Sequence, residues 1–288
     1  MKPDRRAVLA GTGALAAAGP VSAAPPPAVT RILAKYLVAA RAGDIPAKVR
    51  REGCRTLLNY VGVAVGGSRH ETVTRALAAL TPFSGKPEAA ILGRRERLDI
   101  LNASLVNGIS SHIFDYDDTH LKTIIHPAGP VVSAALALTQ HRKASGADFL
   151  HAILLGIETE CRIGNAVWPS HYEMGWHITG SCGVFGSAAA CGRLLGLNEQ
   201  QMIWALGIAA SQPVGLKVQF GSMTKSFHPG RAAQNGLTAA LLAAQGFTAD
   251  ETALEGKDGF AQAVARGVKW EEVTEGLGTR FEAALNTY

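Results

Sequence analysis

Residues 175–195 read Gly175-Trp176-His177-Ile178-Thr179-Gly180-Ser181-Cys182-Gly183-Val184-Phe185-Gly186-Ser187-Ala188-Ala189-Ala190-Cys191-Gly192-Arg193-Leu194-Leu195. The run does not alternate apolar and polar residues as a half-buried strand does. Ser181, Gly183, Gly186, Ser187, Ala188, Ala189, Ala190 and Gly192 instead give a helix over 180–195 a small-residue face, against which other helices can approach closely. A glycine at 196 closes it.

The same reading extends outward. After Pro25-Pro26-Pro27, apolar residues recur at helical spacing through Val29, Ile32, Leu33, Tyr36 and Leu37, and again through Val49, Cys54, Leu57, Leu58 and Val61. Further helices are predicted over about 71–82, 98–113, 130–142, 147–167, 198–210 and 230–245. Asp44 with Pro46 opens the second helix, and Gly66-Gly67 and Gly246 close others. The fold class is therefore all-α over residues 29–268. From residue 269 the pattern changes, and 269–288 reads as a linker and the start of something further.

The first residues read as an address. Arg5-Arg6 precede a weakly apolar stretch, Ala10 to Ala18, and small residues follow up to Ala23. That layout predicts a signal peptide over 1–23 of the twin-arginine type, with a periplasmic or secreted product. The stretch is too short to cross a bilayer, and no later segment is long and apolar enough.

With 288 residues, 47% of them hydrophobic and 18% charged, the chain can bury a full core without disulfide or metal staples. The net charge of +5 falls to about +3 once residues 1–23 are removed. The basic residues are scattered and not interleaved with aromatics, which argues against nucleic acid. Cys54, Cys161, Cys182 and Cys191 lack any CxxC or zinc-finger spacing and read as buried thiols.

Three polar clusters interrupt the apolar helices. The first runs Phe114-Asp115-Tyr116-Asp117-Asp118-Thr119-His120, then through Lys122 to His126-Pro127-Ala128-Gly129. A histidine beside carboxylates can be tuned to work as acid or base near neutral pH. The plainer alternative is a capping loop whose aspartates satisfy helix ends, Asp117 above all. The second cluster is the loop around His177, where the following helix start offers N–H groups and a positive dipole end to an anion. The third is Gly221-Ser222-Met223-Thr224-Lys225-Ser226-Phe227-His228-Pro229-Gly230-Arg231, with Lys225, His228 and Arg231 spaced three apart around a predicted Pro-Gly helix start. Its order is not that of a Walker phosphate loop.

Removing a proton beside a carboxylate builds charge on an already anionic group, so such a site needs a base and fixed cations. Asp115, His126, His177, Lys225 and His228 supply that set. A metal-dependent hydrolase using Asp115, Asp117, Asp118 and the histidines is a rival reading, although no HExxH motif appears. A carboxylate-binding protein without catalysis is another.

At these residues the chain resembles the MmgE/PrpD family, in the stretches FDYDDTH with IHPAGPV, GWHITGSCGVFGSAAA and GSMTKSFHPGRAAQNG, over about residues 29–288. The resemblance implies a lyase or isomerase of a small di- or tricarboxylate, with a helical large domain and a smaller α+β lid mostly absent from this chain. It also implies a homodimer with no metal and no organic cofactor. It puts catalytic roles on Asp115, Thr119, His126, His177 and Lys225, and substrate contacts are expected from His228, Arg231 and Lys122. His120 stands where dehydratase and decarboxylase members often carry tryptophan after the threonine, which points away from their particular substrates. If the lid is missing, the chain is expected to be weakly active or inactive.

Overall fold

A computed structural model describes residues 28–287. The predicted signal segment, 1–23, lies outside the described residues. Twelve α-helices appear among those described. They are α1 (Val29–Ala39), α2 (Ala47–Gly67), α3 (Glu71–Leu80), α4 (Ile100–Ser111), α5 (Ala128–Arg142), α6 (Gly146–Val167), α7 (Ser170–Glu173), α8 (Ile178–Leu195), α9 (Glu199–Ala210), α10 (Met223–Ala244), α11 (Phe260–Val264) and α12 (Glu271–Thr274). Besides four short 3-10 helices there are four two-residue strands: β1 (Ala89–Ala90), β2 (Arg97–Leu98), β3 (Thr119–His120) and β4 (Asn286–Thr287). They pair antiparallel, β1 with β2 and β3 with β4. The body is all-α, as the sequence predicts, and no helix among the described residues is long and apolar enough to cross a membrane.

The quoted run forms the centre of the bundle. Every residue of α8 from Ile178 to Gly192 is buried, and three neighbours meet it where side chains are smallest. A Cβ added at Gly186 would stand 2.8 Å from the carbonyl oxygen of Gly156 on α6, and one at Gly183 would stand 2.5 Å from the Pro130 ring of α5. On the third side, a Cβ at Gly236 of α10 would lie 2.4 Å from that of Ser187. Backbones this close exclude any larger side chain, so the small-residue face sets the spacing of the bundle. Around it, Phe185, Leu155, Ile163, Ile203 and Leu206 build the main apolar core.

Two expectations need correction. The Pro-Gly pair at 229–230 does not start a helix: α10 begins at Met223, capped by the Ser222 hydroxyl, which accepts from the Thr224 amide, and Pro229 lies within it. The cost is one missing backbone hydrogen bond, to the Lys225 carbonyl. Cys54 is exposed, whereas Cys161, Cys182 and Cys191 are buried free thiols as predicted. Cys54 lies on α2, whose buried positions, Val49, Gly53, Thr56 and Tyr60, follow a helical stripe that leaves position 54 outside.

Residues 269–287 are docked on the helical body. Arg162 of α6, wholly buried, donates from Nε to Glu158 at 2.5 Å and from its two terminal nitrogens to the carbonyls of Glu272, Val273, Glu275, Gly276 and Arg280. The guanidinium fork thereby satisfies backbone acceptors that the short α12 leaves open. Glu282 follows, its amide donating to Glu158 at 2.6 Å and its carboxylate meeting His120 Nε2 at 3.1 Å. The β3–β4 pairing then brings the end of this segment beside Thr119.

Candidate active site

The site is assembled by four helix ends. His112 is the residue that ends α4, Pro127 is the N-cap of α5, His177 is the N-cap of α8, and Lys225 stands in the first turn of α10. Between α4 and α5 the chain turns sharply at Asp115, whose φ of 58° is a left-handed conformation that aspartate tolerates better than most residues. This turn brings the Asp115 carboxylate to the Lys225 ammonium as an ion pair. The same oxygen lies 3.7 Å from His112 Nε2 and 3.7 Å from His126 Nε2.

Asp117 sits beneath, buried, and accepts from His112 Nδ1 at 2.8 Å. Burial works to raise its pKa, but His112 and His126 outweigh that and hold it below the ordinary aspartate value. Asp118 takes the capping role instead, its carboxylate accepting from the Ala128 amide at the start of α5. Burial, reinforced by the charge of Asp117, pushes the Asp118 carboxyl well up. The capping alternative therefore fits Asp118, and Asp117 belongs with the histidines.

His126 is oriented from several sides. Its Nδ1 lies 3.1 Å from the Asp118 carbonyl and 3.3 Å from Thr119 Oγ1, while its amide donates to Thr179 Oγ1. Burial lowers its pKa, with Asp117 opposing, so the ring favours the neutral form. A neutral ring donating from Nδ1 to the carbonyl leaves a lone pair on Nε2, which faces Asp115.

Four imidazoles run through the site in contact. His112 meets His126 edge-on at 4.8 Å and stacks on His177 at 5.6 Å, and His177 meets His228 at 5.2 Å between ring centroids. The His177 and His228 Nδ1 atoms are 2.9 Å apart. Burial, then the nearby His112, His228 and Lys225, pushes the His177 pKa far down, and burial with His112 and Lys225 takes His228 to about 4. Gly215 makes room for this pair. Its φ is 106°, and a Cβ there would lie 2.9 Å from the His228 ring, while its carbonyl accepts from the His177 amide at 3.0 Å. Above them a cleft of about 460 Å³ is lined by His112, Asp115, Lys225, Phe114, Phe220 and Met223, a size suited to a small ligand.

Of the residues singled out in the sequence, Asp115, Thr119, His126, His177, Lys225 and His228 come together. Two do not. Arg231 is exposed and bonds Gln234, because α10 is already helical from 223 and six residues of helix turn its side chain about 120° from that of Lys225. Lys122 points to Glu272 at 2.7 Å, because its loop leaves β3 toward the docked segment. His112 and Gly215 had gone unnoticed. His112 closes an apolar helix where a polar residue looks like an ordinary end, and only its place three residues before Asp115 hinted otherwise.

The arrangement can bind an anion and move a proton: the Lys225 ammonium lines the cleft with Asp115 and His112, and the neutral His126 ring turns its Nε2 to Asp115 from beside it. The chain is 32% identical over 250 residues to a cis-aconitate decarboxylase of Aspergillus terreus, covering 82% of this chain and 51% of that protein. It is 32% identical over 273 residues to a cis-aconitate decarboxylase-like protein, oryM, of Aspergillus oryzae, covering 88% and 56%. The human cis-aconitate decarboxylase is 31% identical over 239 residues, covering 81% and 49%. The chain spans about half the length of these curated relatives. The description MmgE/PrpD N-terminal domain fits residues 31–273, which takes in all four helix ends of the site, and the chain belongs to the MmgE/PrpD family.

Proposed function

We propose that this chain is the helical, substrate-binding part of a lyase acting on a small di- or tricarboxylate through a carbanion formed beside a carboxylate. The observation that carries the reading is the Lys225 ammonium held by Asp115 next to the Nε2 atoms of His112 and His126. When a C–H bond or a C–CO₂⁻ bond breaks, its electron pair spreads into the neighbouring carboxylate, and a fixed cation stabilises that extra charge. Lys225 is that cation. His126 Nε2 takes the proton when a C–H bond breaks; when CO₂ leaves instead, Nε2 first takes a proton from solvent water and then gives it to the carbanion. Thr119 and Asp117 orient His126, and His177 with His228 gives a neutral donor wall at the start of α8.

No step in this scheme calls for a metal or organic cofactor. The same reading carries a homodimer and, from Arg5 and Arg6, export to the periplasm or beyond. Decarboxylation is supported by the names of the relatives, while His120, standing where family members often carry tryptophan, speaks for a different substrate. In the structure His120 is fully buried and bound to Glu282, so it shapes the loop from behind.

The test is calorimetric titration and NMR product analysis of the chain with cis-aconitate, methylcitrate and iminodisuccinate. Saturable binding of at least one, abolished by His126→Gln together with Lys225→Met, is expected. Failure of all three to bind ends the carboxylate reading.

A further inference from the structure

The carboxylate-lyase reading leaves one geometric feature unused. His112 Nε2 is buried and has no hydrogen-bond partner, while its Nδ1 is fixed by the Asp117 carboxylate. His126 shows the same pattern, with Nδ1 against the Asp118 carbonyl. Each ring is thus oriented so that its neutral form carries the lone pair on Nε2, and both Nε2 atoms lie 3.7 Å from one oxygen of Asp115. Histidines whose far nitrogen is held by a carboxylate or carbonyl are oriented as metal ligands are. Tetrahedral zinc with bonds near 2.1 Å places its ligand atoms about 3.4 Å apart. Between Asp115 and each ring the required adjustment is a few tenths of an ångström, and His112, Asp115, Asp117 and His126 all offer ligand atoms within 4.8 Å of one another. The cation that now answers Asp115 is Lys225.

We propose that His112, His126 and Asp115 form a site for a divalent transition metal such as Zn²⁺, which enters by displacing Lys225 from Asp115 and so blocks the carboxylate site. Two imidazoles and one carboxylate suit zinc or cobalt and are a poor match for magnesium or calcium, which favour oxygen ligands. Asp117 stays in its supporting place behind His112. The blocking effect rests on the lyase reading; the metal binding itself does not.

Co²⁺ is the probe, because its visible absorption reports ligand type and geometry. Titration of the full chain should show one equivalent bound, with d–d bands of a nitrogen and oxygen set and no thiolate charge-transfer band. Asp115→Asn and His126→Gln should each weaken binding by at least 10-fold. Lys225→Met should tighten it by about 10-fold or more, since the competing ammonium is gone, and a misfolded variant would not bind more tightly. Stoichiometry below one tenth at millimolar Co²⁺, a thiolate band, or an affinity that Lys225→Met leaves unchanged or weakens overturns the proposal. Cobalt bound in this way to a chain that, freed of cobalt, binds and turns over none of the three carboxylates overturns the lyase reading alone; carboxylate binding or turnover unaffected by saturating cobalt overturns the blocking.

Discussion

The Nδ1 atoms of His177 and His228, 51 positions apart in the chain, lie 2.9 Å from each other with only one proton between them. One ring donates and the other accepts, so the accepting ring must be neutral, and protonating it sets two donors face to face. Burial and the positive groups nearby hold the His228 pKa down at about 4, against about 6.5 in an unfolded chain. The unfolded state therefore binds more protons between these values. The stability contributed is complete above pH 6.5 and is lost as pH falls toward 4. Between pH 7.5 and 4.5 the pair should cost the fold about 2 kcal/mol, read as a drop of roughly 4–8 °C in melting temperature. His228→Asn should flatten that part of the pH–melting curve; an unchanged slope would mean that the pair is not what titrates.

Lys225→Met removes the fixed cation and leaves the Asp115 carboxylate unanswered. If a carbanion forms here, turnover in a protein carrying this domain should fall by about 100-fold or more, because one preorganised charge donor is worth ~3 kcal/mol in the transition state. The melting temperature should barely change, since the pair is partly exposed. Steady-state kinetics beside a thermal melt separates the two effects, and equal activity in wild type and variant would remove Lys225 from the mechanism.

Gly236→Ala tests the close approach of α10 to α8. The added methyl would meet the Ser187 Cβ at 2.4 Å and the Val184 carbonyl oxygen at 2.5 Å, and α8, buried from Ile178 to Gly192, has no free side to retreat to. Overpacking of this kind costs about 1–3 kcal/mol, which outweighs the helix propensity gained from alanine. Urea unfolding should show a lower midpoint at unchanged slope.

Export is tested at the arginine pair. Arg5→Lys with Arg6→Lys should leave unprocessed protein in the cytoplasm, because the twin-arginine receptor reads that pair. Processing at the wild-type level in the double variant would point to another route.

Much of this fold is legible in the chain. The small residues of 180–192 and the glycine at 196 foretell a buried central helix and its end, because helix spacing and capping are local properties. Asp115, Thr119, His126, His177, Lys225 and His228 are recognisable as polar residues crowded between apolar helices, and the fold brings them together. What escapes is set by distant contacts. Pro229 looks like a helix start because proline favours that place, yet Ser222 caps the chain seven residues earlier. Asp117 looks like a cap because that is the usual work of an aspartate beyond a helix, and only the packing of α4 against α5 and α10 gives it two histidines. Arg162, in the middle of a predicted helix, carries no local sign that its partners lie more than a hundred residues away.

That arginine gives the domain a line along which load travels. It pins the chain to α6 at five carbonyls between residues 272 and 280, behind any pull applied at residue 287. The short stretch beyond the pins, 281–287, has its other holds at Glu158, His120 and β3. A pull on it is therefore delivered to Thr119, whose hydroxyl leans on the His126 ring. Whatever tugs on that stretch, the first group of the candidate site to feel it is His126, the base we propose.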